Sequence, residues 1–131
     1  LMAIFNAPLP QADHARRAVR AAWAMRQALE RHSGPLAQSG ASVEYGIGVH
    51  TGLAVVGNIG AAERLQNYTA IGDAVNTAQR LQSSATANQI LLSVAAYLEV
   101  APHILAHELG PMQVKGKTQP LSVYQLDGLR E

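Results

Sequence analysis

Residues 67–81 read Asn-Tyr-Thr-Ala-Ile-Gly-Asp-Ala-Val-Asn-Thr-Ala-Gln-Arg-Leu, and the rest of the chain is organised around them. Ala74, Val75, Ala78 and Leu81 recur at helical spacing and form one apolar stripe. Asp73, Asn76 and Arg80 fall on the other side at about 100° per residue. Asn76 and Arg80 stand four apart, so a neutral amide and a permanently charged guanidinium project side by side. Such a pair can hold an anionic, oxygen-rich ligand. It is also what a solvated helix face commonly carries, and on this stretch alone the solvated face is the favoured reading, which context has to overturn.

Upstream of it, Val43 to His50 alternates like a strand, Thr51-Gly52 supplies a tight turn, and Leu53 to Gly60 runs back. That pattern predicts a hairpin. Gly46, Gly48, Gly52, Gly57 and Gly60 each weaken a strand, so they mark bulges or places where a ligand or another backbone comes close. No Gly-x-Gly-x-x-Gly opens a helix here, and no glycine run precedes Lys-Ser or Lys-Thr, so the common phosphate loops are not signalled. His50, beside the turn, reads as a hydrogen-bonding or packing residue. His14, His32, His103 and His107 are too scattered to suggest a metal site. Ala61 to Gln66 reads as a loop or short helical turn.

Further toward the start, Leu1 to Phe5 is an apolar run with strand propensity and no polar lead-in, which reads as a strand cut open from a longer domain. Pro8 and Pro10 end it. From Asp13 to His32 the positions Ala15, Ala18, Val19, Ala22, Met25 and Leu29 keep helical spacing, with Asp13 as N-cap and Gly34-Pro35 as the stop. Its arginines 16, 17, 20, 26 and 31 lack interleaved aromatic stacking partners, so they read as solvated and not as a nucleic-acid surface. Trp23 reads as a packing residue. Ser33 to Ser42 reads as a loop.

Downstream, Ser83 to Asn88 reads as a loop, Gln89 to Leu92 as a short strand, and Ser93 as the N-cap of a helical turn or two ending before Pro102. Ile104 to Leu109, Met112 to Lys115 and Leu121 to Leu126 read as strands. Between the last two, Val114-Lys115-Gly116-Lys117-Thr118 offers either a phosphate contact or a plain solvent-facing turn.

The 131 residues fit one domain, and 48% hydrophobic against 15% charged residues calls for a folded core. Ten basic and nine acidic residues leave a formal charge of +1, so no broad field draws nucleic acid or anionic lipid. Any anion site must be local. The absence of Cys excludes disulfides and thiolate chemistry and agrees with a reducing, cytoplasmic setting. No apolar run is long enough for a membrane span.

Four segments together resemble the class III nucleotidyl cyclases: LMAIFNAPLPQADHA from Leu1, GIGVHTGLAVVGNIG from Gly46, the stretch Asn67 to Leu81, and VKGK from Val114. Their order and spacing match from Leu1 to about Leu126. The resemblance implies a ferredoxin-like α+β fold, a mixed or largely antiparallel sheet covered by helices. The chain would be its C-terminal part, with the N-terminal strand-helix-strand portion upstream. It further implies a head-to-tail homodimer with active sites at the interface, where the ribose 3′-hydroxyl of ATP attacks the α-phosphate to give 3′,5′-cyclic AMP and pyrophosphate. By position, Asn76 resembles the residue that orients the ribose and Arg80 the one that stabilises the pentavalent phosphate. Lys115 resembles the lysine on the terminal phosphates, with Lys117 as second choice. Thr69 stands where many relatives read the adenine amino group with aspartate and a bacterial subgroup uses threonine, which favours ATP over GTP.

The resemblance also implies two Mg²⁺ or Mn²⁺ ions. The aspartates that hold them in the family, and a base-reading lysine, precede the strand at Leu1, so no residue of this chain matches a metal ligand. Gly46 stands where many relatives carry a phosphate-binding arginine. These departures imply that the 131 residues alone are inactive. They leave open a non-catalytic dimerisation or nucleotide-sensing module attached to a regulatory domain.

Overall fold

The computed structural model describes residues 1–38, 44–59, 67–86, 88–113 and 120–130. The elements are α1 (His14–Gln38), β1 (Gly46–Val49), β2 (Val55–Ile59), β3 (Asn67–Ile71), α2 (Asp73–Ser84), β4 (Gln89–Ser93), α3 (Val94–Val100), β5 (Ile104–Met112) and β6 (Leu121–Leu129). A 3₁₀ turn at Ala101–His103 joins α3 to β5. One sheet has four strands in the order β1-β4-β6-β5, and β2 and β3 form a separate ribbon. The β1–β4 pairing is parallel; β4–β6 and β6–β5 are antiparallel. This is the α+β architecture the sequence implies.

Side chains alternate across the sheet and feed two cores. Ile90, Leu92 and Leu126 point to one face, where they meet Ala15, Val19 and Ala22 of α1, Val100 of α3, and Ile104. Trp23 packs against the same cluster. Leu91 and Val123 point to the other face and meet Leu81 of α2. Leu81, Leu91 and Val123 are completely buried. The helices thus lie on both faces, α1 and α3 on one and α2 on the other.

Strand β1 shows why α2 can sit where it does. Ile47 and Val49 face the first core. Gly46 and Gly48 face α2, and a Cβ built on Gly48 would collide with the Ala78 carbonyl oxygen and come within 2.6 Å of the Gln82 nitrogen. A Cβ on Gly46 would meet Ala85 Cβ at 2.8 Å and the Gln82 carbonyl at 2.9 Å. These glycines let a helix lie directly on strand backbone.

Several sequence expectations change. Residues 43–50 and 53–60 do not pair as a hairpin: β1 takes β4 as its neighbour, and β2 turns away to pair with β3. Alternation reports which face of a strand is buried, not which strand lies beside it. Leu1 to Phe5 forms no strand, since no described segment pairs with it. Helix α1 runs through Gly34-Pro35 to Gln38 instead of stopping there. Glycine before proline has no Cβ to clash with the ring, which relaxes the usual barrier to helical angles. Ile104 to Met112 form one strand, β5, where the sequence predicts one strand ending at Leu109 and another beginning at Met112, with register irregularities around Leu105/Ala106 and Glu108/Gly110; the rest of the second predicted strand, beyond residue 113, lies outside the described residues. Gly110 takes φ 82° there, and Pro111 is tolerated because β5 is a sheet edge. Strand β6 continues past Leu126 to Leu129.

The expected cap at Ser93 holds: its hydroxyl accepts from the Ala96 N–H at 3.2 Å. The Asp13 carboxylate accepts from Arg17 Nε at 2.7 Å, a hydrogen bond that holds its carboxyl below the usual carboxylate range. Arg26 lies over the Trp23 ring, 5.1 Å from its centroid, and pairs with Glu30 at 3.2 Å.

Candidate active site

The decisive stretch divides at Gly72. Before it, β3 pairs with β2 in the register Val55↔Ile71, Gly57↔Thr69 and Ile59↔Asn67. After it, α2 begins at once, with the Asn76 N–H bonding to the Gly72 carbonyl at 3.3 Å. Gly72 takes φ 133° and ψ 178°, a corner essentially reserved for glycine. The turn from strand to helix is therefore fixed by one residue.

On α2, Leu81 and Thr77 are buried, and Ala74, Val75 and Ala78 are half-buried. The stripe lies where the periodicity puts it, with one addition: Thr77, polar by type, is 4% exposed. Asn76 is exposed and Arg80 half-buried on the flank away from Leu81. Four residues of helix separate them by a rise of about 6 Å. Among the described residues Arg80 makes no ion pair. Asn76 and Arg80 thus share one flank of α2.

Thr69 is half-buried on β3, two residues before Ile71 and on the same side of the ribbon. It stands opposite Gly57, and a Cβ built on Gly57 would find nothing within 4 Å. The strand carrying Thr69 feeds directly into the helix carrying Asn76 and Arg80. Lys115, Lys117 and the segment Ala61 to Gln66 lie outside the described residues.

The arginine position expected at residue 46 is a glycine packed under α2, with no room for a side chain unless the helix moves. Among the described residues no three His, Asp or Glu side chains gather as metal ligands. Asp13 is engaged by Arg17, and Asp73 heads α2 on the same element as Asn76 and Arg80. The described residues therefore do not fit a two-metal cradle.

Sequence reasoning left Gly72 and Thr77 without roles. Glycine's place between a strand-forming run and a helical stripe was the available signal for Gly72. Nothing local marks Thr77, whose burial comes from its position beside Leu81. The partner of His50 was equally hidden: its Nδ1 lies 2.8 Å from Ser93 Oγ, across 43 residues of sequence.

The chain is a mixed α+β domain in which the helix carrying Asn76 and Arg80 follows a glycine corner. Residues 1–128 match the family described as Adenylate and Guanylate cyclase catalytic domain, and the chain belongs to that family. It is 36% identical over 132 residues to Adenylate cyclase 1 of Rhizobium meliloti (strain 1021), covering 98% of this chain and 20% of that protein. It is 29% identical over 129 residues to the human guanylate cyclase soluble subunit beta-2, again covering 98% of this chain and 20% of that protein. Among solved structures, the adenylyl cyclase CyaB from P. aeruginosa superposes with a TM-score of 0.88 at 34% identity, over 97% of this chain and 66% of that one. The chain thus spans about a fifth of the length of these curated relatives.

Proposed function

We propose that this domain belongs to an adenylyl cyclase that converts ATP to 3′,5′-cyclic AMP and pyrophosphate in a site shared between two copies. The observation that carries the reading is the outward Asn76–Arg80 pair, one turn apart on a helix whose approach is fixed by Gly72. In the reaction a bond forms between the ribose 3′-oxygen and the α-phosphorus. The bond from the α-phosphorus to the bridging oxygen of the leaving pyrophosphate breaks, and the 3′-hydroxyl proton is lost. Asn76 holds the ribose with its amide, so that the 3′-oxygen starts near its line of attack. Arg80 donates from a rigid fork to the equatorial oxygens, where charge spreads in the pentavalent transition state.

Thr69, half-buried beside an open position at Gly57, suits an adenine edge, because its hydroxyl can accept from an amino group. Lys115 is assigned to the terminal phosphates by its place in the Val114-Lys115-Gly116-Lys117 motif. The likeness to the R. meliloti and P. aeruginosa adenylyl cyclases supports ATP as the substrate. The carboxylates that would hold Mg²⁺ or Mn²⁺ are assigned to residues outside this chain, and residues 1–131 alone are expected to show no turnover.

A second reading is a cyclase-like module that dimerises or senses nucleotide without chemistry. One assay decides between them: the full-length protein is incubated with Mn²⁺ and ATP or GTP, and the cyclic product is identified. Cyclic AMP in excess over cyclic GMP is the expected result. Nucleotide binding without either product establishes the second reading.

A further inference from the structure

His50 is tied to three elements that are remote in sequence. It follows β1 directly, and its Nδ1 lies 2.8 Å from the buried Ser93 Oγ at the end of β4. That oxygen already accepts from the Ala96 N–H that opens α3. A serine hydroxyl can both accept from Ala96 and share a proton with Nδ1, so one oxygen ties the imidazole to the α3 cap. A Cβ built on Gly52 would stand 3.2 Å from both His50 Nε2 and Ala74 Cβ, so glycine fits the narrow space between the imidazole and α2. Ala74 lies in the first turn of α2, two residues before Asn76. The same segment continues to Leu53 and Ala54, whose carbonyl oxygen and Cα lie 3.8 Å from a Cβ built on Gly72.

The segment 50–54 is tied at one end to the α3 cap through His50, and at Gly52 any side chain would crowd both the imidazole and Ala74 in the first turn of α2. The first turn of α2 sets where the Asn76 amide points. A displacement of even about 1 Å there costs roughly 10²-fold in a reaction that depends on alignment.

We infer that His50 is a positioning residue, which through its bond to Ser93 and its contact with Gly52 holds the first turn of α2, and with it Asn76, in the reactive placement. The inference rests on the role proposed for Asn76 and Arg80, and its test has one arm that does not. In the full-length protein, His50→Ala, His50→Asn, Ser93→Ala and the His50→Ala/Ser93→Ala double variant are compared. Asparagine presents an oxygen near the place of Nδ1 and can accept the same Ser93 proton.

Expected are a fall in kcat of about tenfold or more for His50→Ala and Ser93→Ala, with KM for ATP within about twofold. The double variant is expected to be no worse than the poorer single one, and His50→Asn to recover most of the loss. Hydrogen exchange supplies the arm independent of activity. The Asn76 amide, bonded to the Gly72 carbonyl, is expected to exchange faster in His50→Ala than in the wild type, while β6 amides do not. Folded His50→Ala with wild-type kcat and exchange overturns the inference, as do additive losses or failure of His50→Asn to rescue. A wild-type protein that makes no cyclic nucleotide, yet shows the exchange effect, overturns the proposed function and leaves the positioning role standing.

Discussion

At the level of single residues, Arg80 can do what a shorter or softer cation cannot. Its guanidinium is planar and always charged, and the residue is half-buried on α2. Stabilisation of this kind is worth most when the donors need no rearrangement as charge develops. Arg80→Ala in the full-length protein is expected to lower kcat by about 10² or more, with the thermal midpoint nearly unchanged because the side chain makes no ion pair among the described residues. Unaltered kcat in a folded variant removes Arg80 from the mechanism. The shared flank of Asn76 and Arg80 was legible in the sequence because helical periodicity puts residues four apart on one side, whereas a role was not, since a solvated face shows the same pattern. Gly72 was not, because what distinguishes it is a φ of 133°, and a backbone angle leaves no trace in periodicity.

Among the elements, the strongest constraint is the seating of α2 on β1. Two glycines alternate with Ile47 and Val49, so one strand serves a side-chain core on one face and a bare-backbone contact on the other. The sequence showed the alternation and the glycines, and read them as marks of close approach. It did not show what approaches, because a helix arriving from thirty residues downstream is a tertiary fact; the hairpin expectation filled that gap with the nearest strand. The prediction at this scale follows from the contact itself. Gly48→Ala puts a methyl group against the Ala78 carbonyl and within 2.6 Å of the Gln82 nitrogen, which is helix backbone and cannot yield by a rotamer change. The variant is expected to lose about 1–3 kcal/mol or more in chemical denaturation. Because relief requires α2 to lift from the sheet, kcat is expected to fall more than the folded fraction does. Gly57→Ala is the matched control: a Cβ there meets nothing within 4 Å, so stability should change little.

For the whole molecule, the ribbon is where large apolar side chains stay exposed. Val55 and Ile71 face each other across the β2–β3 pairing and so share one side, yet they are 66% and 51% exposed, and Leu53 just before them is 98% exposed. Thr69 stands on that same side. An apolar ribbon face next to the residues assigned to the nucleotide fits a second copy laid across it, so that the substrate is enclosed only on association. Val55→Asp places two uncompensated carboxylates in such an interface, one from each copy. Burying an unpaired charge is costly enough that the dimer dissociation constant is expected to rise at least about tenfold, 1.4 kcal/mol. Sedimentation velocity across a concentration series measures the shift, and cyclase activity per subunit should fall in parallel and recover as protein concentration is raised. Leu98→Asp is the control, since Leu98 is 70% exposed on α3, an element packed with α1 on the opposite face of the sheet from α2. It should leave both association and activity unchanged. A Val55→Asp protein that dimerises as the wild type does would place the subunit contact elsewhere and detach the ribbon from the site.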